Sequence, residues 1–139
     1  MAQDNKKLIQ DVYEAYGRGD SQFILDRVTD DVDWVNEGPK SIPYAGTFKG
    51  SQQVERFFEA IGSTVNNGRV TPEEWVTEGD KVVTTGRFTA TVKETGKRID
   101  VPVAHVFTIK NGKIARWVGY ADTAAVAEAY AGSAQSAAF

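Results

Sequence analysis

The chain has 139 residues, of which 16 are Lys or Arg and 19 are Asp or Glu, and it contains no Cys. This length predicts one domain that buries enough surface to need no disulfide or metal. The charges give a net value of −3 and form no basic stripe, which argues against a nucleic-acid partner. Because the sequence shows no apolar run of membrane-helix length and no signal-peptide pattern, we expect a cytoplasmic protein without a membrane partner.

The first half of the chain predicts three helices. Apolar residues recur at helical spacing from about Asp4 to Arg18. Asp20 is placed to cap a short second helix, and Ser51 is placed to cap a third. The inner face of the third helix is expected to carry Val54, Phe57, Phe58 and Ile61.

Strands and turns make up most of the remainder. We expect a turn at Asp30-Asp31, a short strand over residues 32–36 and an irregular crossing over residues 37–49. Longer strands are predicted at about 70–77, 81–93, 101–110 and 113–122, with turns at Gly79-Asp80 and at residues 95–97. An alanine-rich helix then runs from Thr123 to about Tyr130, and residues 131–139 are predicted to form a flexible tail.

The last two strands form the centre of the predicted fold. They meet at Asn111-Gly112, two residues that accept the positive φ values of a tight hairpin. Alternation along the first of them places His105, the one histidine of the chain, in a row with Val101, Val103, Phe107 and Ile109. That apolar row must face the helices if it is to be buried. An outward row on the preceding strand, Val83 to Thr91, is of mixed polarity.

The order of elements predicts an α+β fold. Three N-terminal helices would cover one face of a strongly curved, mainly antiparallel sheet, and the domain would span residues 1–130. Such a cone has a mouth that suits a small ligand.

Particular residues in these elements resemble the SnoaL-like group of the nuclear transport factor 2-like (NTF2-like) superfamily, which includes ketosteroid isomerases, polyketide cyclases and limonene epoxide hydrolases. The likeness covers about Leu8 to Val126. The residues that carry it are Tyr16, Gly19-Asp20, Asp30-Asp31, Gly50, Val54, Phe57-Phe58 and the final stretch VAHVFTIKNGKIARWVGYAD. The resemblance implies a ligand pocket and also suggests a homodimer that forms through the sheet face.

The catalytic sets of two of these enzymes are not intact in this chain. The tyrosine, base and oxyanion-hole Asp of the ketosteroid isomerases fall on Val12, Asn36 and His105. For the epoxide hydrolases, the Arg-x-Asp positions fall on Gly86 and Phe88. Neither of those two mechanisms is therefore expected.

Three residues are the candidates for chemistry, each with a structural alternative. His105 is expected to be a neutral imidazole that serves as acid or base, or else a core histidine bonded to a neighbour. Asn36 could hold a water or a carbonyl, or only terminate its strand. Asp122 matches a position that is often acidic in SnoaL-like proteins, or it only caps the last helix. The expected ligand-binding residues are Tyr16, Trp34, Tyr44, Phe58, Phe88, Phe107 and Trp117.

Two functions remain open from the sequence. One is a cofactor-independent isomerase, cyclase or dehydratase that acts on an apolar, oxygenated compound. The other is a non-catalytic module for ligand binding or dimerisation. No metal site is expected, because one His and no Cys give no recognisable cluster.

Overall fold

The computed structural model describes the backbone of residues 2–137 and the side chains of residues 4–131. Four helices and six strands follow one another along this part of the chain. They are α1 Ala2–Gly17, α2 Ser21–Leu25, β1 Val28–Asn36, β2 Gly46–Lys49, α3 Gly50–Thr64, β3 Val65–Glu78, β4 Lys81–Val92, β5 Arg98–Lys110, β6 Lys113–Ala121 and α4 Thr123–Ala137.

The strands form one sheet in the order β2-β1-β6-β5-β4-β3. Only β1 and β6 are parallel among these neighbours, and the other pairs are antiparallel. Helix α1 packs on β3 and β4, α3 packs on β1, β2 and β3, and α4 packs on β5. The predicted α+β fold, with helices on a curved and mainly antiparallel sheet, is confirmed. The helices number four, because α4 joins the three that precede the long strands.

The central hairpin is formed as predicted. Asn111 and Gly112 have φ values of 52° and 76°, the left-handed conformation of a two-residue turn between antiparallel strands. Strand alternation buries four of the five residues of the predicted row, half-buries Val103, and leaves Arg87 and its outward neighbours at least partly exposed. The inward row of β5 therefore faces the helices, and His105 is only 8% exposed.

Several local predictions were wrong. Asp30 and Asp31 lie within β1 instead of forming a turn, and the turn comes earlier, at Asp26-Arg27. The crossing predicted to be irregular contains β2. Ser51 does not cap α3, which begins one residue earlier, and the backbone N–H of Lys49 donates to Gln53 Oε1 at 2.7 Å instead.

The two ends of the chain were also predicted differently. Helix α4 ends at Ala137, beyond the predicted Tyr130, and the side chains of the predicted tail from residue 132 onward lie outside the described residues. The mobility of that tail stays a prediction. None of the helices within residues 2–137 is long and apolar enough to cross a lipid bilayer.

Candidate functional site

A cavity lies between the sheet and the helices α1, α3 and α4. Its empty space, counted through the open mouth into solvent, is about 820 Å³. Its wall is mainly aromatic and aliphatic, and the mouth carries Glu37, Tyr120 and Thr123.

The structure brings nearly all of the predicted site residues together. The wall includes two of the three candidates for chemistry, His105 and Asn36. It also includes every predicted ligand-binding residue, namely Tyr16, Trp34, Tyr44, Phe58, Phe88, Phe107 and Trp117. Asp122 does not line the cavity, although both of its chain neighbours do. The Asp122 side chain is exposed, and its Oδ1 accepts a hydrogen bond from the backbone N–H of Ala125 at 3.2 Å, as in the helix-cap alternative.

Strand register places the polar residues of the wall in one row across the sheet. Asn36 pairs with Gly119, Gly119 pairs with His105, and His105 pairs with Thr84. Adjacent strands lie about 4.8 Å apart, so Asn36 and His105 are separated by roughly 10 Å. A ligand of one or two rings could contact both.

His105 is held by a hydrogen bond at one ring nitrogen. Its Nδ1 lies 2.7 Å from the hydroxyl of Tyr13, and that hydroxyl lies 2.6 Å from Thr84 Oγ1. The imidazole stacks on the Tyr13 ring and meets the Trp117 ring edge-on at 5.1 Å between centroids. Among the described residues, Nε2 has no hydrogen-bond partner.

Burial sets the charge state of this histidine. It lowers the pKa of His105 to about 4, because an imidazolium ion would be poorly solvated among aromatic rings. The ring is therefore neutral at pH 7, as predicted. Burial also raises the pKa of Tyr13 far above its ordinary value and that of Tyr16 to about 12, so both phenols keep their protons.

Tyr13 is a cavity-lining residue that the sequence analysis did not single out. It widens the apolar stripe of α1 next to Val12, the residue on which the tyrosine of the ketosteroid isomerases falls. The available signal was its phenol, a polar group on a buried face that needs a partner. His105, the one ionisable side chain of the facing apolar row, is that partner.

Asn36 is the polar residue at the opposite end of this row. Its Nδ2 donates to the backbone oxygen of Tyr44 at 3.2 Å, which leaves Oδ1 as the atom available to a ligand. Trp34 Nε1 and the Tyr44 hydroxyl are buried and have no hydrogen-bond partner among the described residues. The hydroxyl of Tyr130, beside Tyr44, is bonded instead to Thr64 at 2.9 Å. Buried polar groups in proteins are usually paired, so these two are exceptions among the described residues.

Two glycines of the sheet lie where protein atoms already fill the space that a side chain would need. A Cβ at position 86 would lie 2.1 Å from the backbone oxygen of Thr71, and one at position 119 would lie 2.4 Å from the Trp117 ring. Gly119 instead allows the indole to lie flat over the strand.

Comparison with known protein families assigns the chain to one of them. The model of the SnoaL-like domain matches residues 9–117, most of its length. The chain belongs to the SnoaL-like domain family. Its predicted resemblance to NTF2-like proteins is thereby confirmed. No curated protein matches the sequence closely enough to count as a relative.

Solved structures share the SnoaL-like fold over nearly the whole chain. An NTF2-like protein of unknown function from Burkholderia pseudomallei is 25% identical, with 92% of this chain and 98% of that chain covered and a TM-score of 0.83. An NTF2-like protein from Burkholderia xenovorans is 27% identical, with 94% and 98% covered and a TM-score of 0.82. TerC, co-crystallised with polyporic acid, is 26% identical, with 91% and 98% covered and a TM-score of 0.83.

The chemistry that this SnoaL-like cavity allows follows from its groups. Within residues 4–131, no three His, Asp or Glu side chains converge in a way that could hold a metal ion. Apart from Glu37 and Thr123 at the mouth, the polar groups of the wall are a neutral imidazole, an amide, phenols and indole N–H groups. These groups can donate or accept hydrogen bonds and, at His105, exchange a proton.

Proposed function

We propose that this protein binds an apolar, oxygen-bearing small molecule in the cavity and acts on it without a cofactor. His105 exchanges a proton or a hydrogen bond with the ligand through Nε2, and Asn36 orients the ligand or a water from the far end of the row. The reaction class is an isomerisation, cyclisation or dehydration.

One observation carries the proposal. In a wall of aromatic and aliphatic side chains, the imidazole of His105 is fixed at Nδ1 while its Nε2 has no partner among the described residues. A core histidine with only a structural role would be expected to have both nitrogens satisfied.

The strength of the expected catalysis is limited by the groups available. One positioned acid or base contributes about 10²- to 10⁴-fold, which suffices for a substrate that is already activated. A pKa near 4 makes His105 a weak base while the cavity is empty. The substrate therefore needs an acidic C–H bond or a good leaving group.

The same features also support the alternative, a non-catalytic binder. Among the described residues that line the cavity, Glu37 is the one carboxylate, and its side chain is exposed at the mouth. A protein that only carries or senses a ligand needs the hydrogen bonds of His105 and Asn36 but no proton transfer.

Turnover separates the two functions. The protein is incubated with polyporic acid, aromatic polyketides, steroids, terpenoids and hydroxyketones, and products are sought by mass spectrometry. An enzyme should convert at least one compound and lose about 10²-fold or more of that rate in His105→Gln. Gln52→Ala, on the exposed side of α3, is the matched control and should keep the full rate. A compound that binds and is recovered unchanged from both proteins supports the binder.

The predicted homodimer also stays a proposal. On the outer face of the sheet, Val76 is 63% exposed and pairs across β3 and β4 with Val83. Exposed apolar side chains of this kind favour association. Sedimentation of the Val83→Glu and Gln52→Glu variants tests this proposal. Only Val83→Glu should shift a dimer toward the monomer.

A further inference from the structure

The hydrogen bonds around His105 form a short chain across three elements. Thr84 on β4, Tyr13 on α1 and His105 on β5 are joined by contacts of 2.6 and 2.7 Å. Within the described residues, these three side chains have no other hydrogen-bond partner. Thr84 is only 2% exposed, so its hydroxyl also has little access to water.

Three arrangements of the protons satisfy both contacts. In the first, Thr84 donates to Tyr13 and Tyr13 donates to Nδ1, which must then be the unprotonated ring nitrogen. In the second, Nδ1 donates to Tyr13 and Tyr13 donates to Thr84, which leaves the hydroxyl hydrogen of Thr84 buried and unpaired. In the third, Thr84 and Nδ1 both donate to the Tyr13 oxygen, which leaves the phenol hydrogen unpaired. The second and third arrangements therefore carry a desolvation penalty. The first arrangement pairs both hydroxyl hydrogens.

We propose that Thr84 donates to Tyr13, that Tyr13 donates to Nδ1 of His105, and that His105 therefore carries its proton on Nε2 and presents it to the cavity. Tyr13 and Thr84 are then positioning residues, because they determine the tautomer of a group that contacts the ligand. Burial keeps the ring neutral and so keeps one nitrogen free of a proton.

The tautomer selects a class of ligand. A nitrogen that bears a hydrogen donates, so His105 binds an acceptor such as a ketone, quinone, ether or epoxide oxygen. It would polarise that oxygen as a hydrogen-bond donor, instead of removing a proton as a base. This consequence rests on the proposed function, whereas the tautomer itself does not.

The single histidine makes the test direct. Multiple-bond ¹H–¹⁵N correlation spectra of the ¹⁵N-labelled, ligand-free protein at pH 7 report one imidazole. The expected spectrum has a pyridine-type Nδ1 and a pyrrole-type Nε2. A pyrrole-type Nδ1, or two averaged nitrogens, would overturn the proposal. This wild-type spectrum decides the tautomer even if a variant fails to fold.

Two variants test whether Tyr13 is the cause. Tyr13→Phe removes the donor, so the ¹⁵N chemical shifts of both ring nitrogens should move toward the average for a mixture of the two tautomers. Tyr16→Phe removes another buried phenol of the wall that has no bond to His105, and it should leave the spectrum unchanged. A folded Tyr13→Phe protein with the wild-type spectrum would show that Tyr13 does not set the tautomer.

A pair of probes tests the ligand class. 1-Indanone and indane share one ring system, but only the ketone carries an acceptor. We expect indanone to bind wild type about fivefold more tightly than indane, the effect of one neutral hydrogen bond. This ratio should fall toward one in Tyr13→Phe. Equal affinities in wild type would overturn the ligand class, while the absence of any binding would count against the proposed function and leave the tautomer in place.

Discussion

At the scale of single residues, His105 couples the stability of the fold to pH. Among the described residues, the wall that surrounds it provides no charged partner, since its contacts are Tyr13, Thr84, Phe107 and Trp117. The folded protein therefore resists protonation of the ring, whereas the unfolded chain takes up a proton near its ordinary pKa of 6.5.

This coupling predicts a loss of stability in acid. Above pH 6.5 both states hold a neutral imidazole, and between pH 6.5 and about 4 only the unfolded state is protonated. The free energy of unfolding should fall by roughly 3 kcal/mol across that window because of this one group. Urea denaturation of wild type and His105→Gln at several pH values measures the difference between the two proteins, which removes the effect of the carboxylates. Two curves with the same pH dependence would contradict the buried, neutral histidine.

Gly119 supports the wall of the cavity by leaving space for an indole. A Cβ there would lie 2.4 Å from the Trp117 ring and 3.0 Å from Asn36 Oδ1. The Trp117 ring cannot easily shift, because it stacks on Trp34 with centroids 4.6 Å apart.

Gly119→Ala should therefore destabilise the fold by about 1–3 kcal/mol, as overpacking does in well-packed cores. Chemical denaturation measures the change. Gly62→Ala on the exposed side of α3 is the control. Its Cβ would meet nothing within 4 Å, and it should stabilise the helix by roughly 0.5–1 kcal/mol. If Gly119→Ala left the free energy of unfolding unchanged, the Trp117 ring would be free to move.

At the scale of elements, helix α4 closes one side of the cavity and depends on its N-cap. Val126 of α4 lines the cavity four residues after Asp122, whose carboxylate accepts the hydrogen bond that fixes where the helix begins. The carboxylate itself is exposed to solvent. The geometry thus favours a structural role for Asp122, and its catalytic role stays a prediction.

Two substitutions at this position separate the roles. Asp122→Ala removes the cap and should cost about 1 kcal/mol, whereas Asp122→Asn keeps a capping oxygen and should be nearly neutral. Thermal unfolding measures both. Asp122→Asn should also retain turnover of any substrate found for the wild type. A stable Asp122→Asn protein without activity would instead establish the acid or base role.

Elements with strong local signals could be predicted from the sequence, and those that depend on distant partners could not. Asp20 caps α2 through a bond from the Phe23 N–H at 3.1 Å, and the Asn111-Gly112 turn likewise needs only its own residues. Strand β2 has four residues and is defined by pairing with β1, which local pattern does not reveal. The acidic pair Asp30-Asp31 resembles a turn, yet it lies in a strand whose pairing with β6 shifts register there.

The candidate site also combines features that the local sequence predicts with features that depend on distant partners. Alternation along β5 was enough to turn His105 inward, and the strand end at Asn36 was enough to place it in the cavity wall. The bond from Tyr13 depends on how α1 lies across β4 and β5, a tertiary relation that helical periodicity cannot supply. Sequence spacing therefore located the catalytic candidate but not the residue that orients it.

At the scale of the whole molecule, the sheet and its helices enclose one mainly apolar space with polar groups at two places. His105 lies on one side of Gly119 and Asn36 on the other. This arrangement suits a rigid ligand with oxygen atoms at both ends. The central claim is that such a molecule binds in the cavity and contacts His105.

The most direct measurement is a thermal-shift screen of wild type, His105→Ala and Gln52→Ala against the compounds named above. A ligand at about 100 times its dissociation constant adds about 2.7 kcal/mol, which moves the midpoint of a domain this size by several degrees. We predict a compound that stabilises wild type and Gln52→Ala alike and stabilises His105→Ala clearly less. If no compound shifts wild type, or if all three proteins shift equally, the claim that His105 serves a ligand site is contradicted.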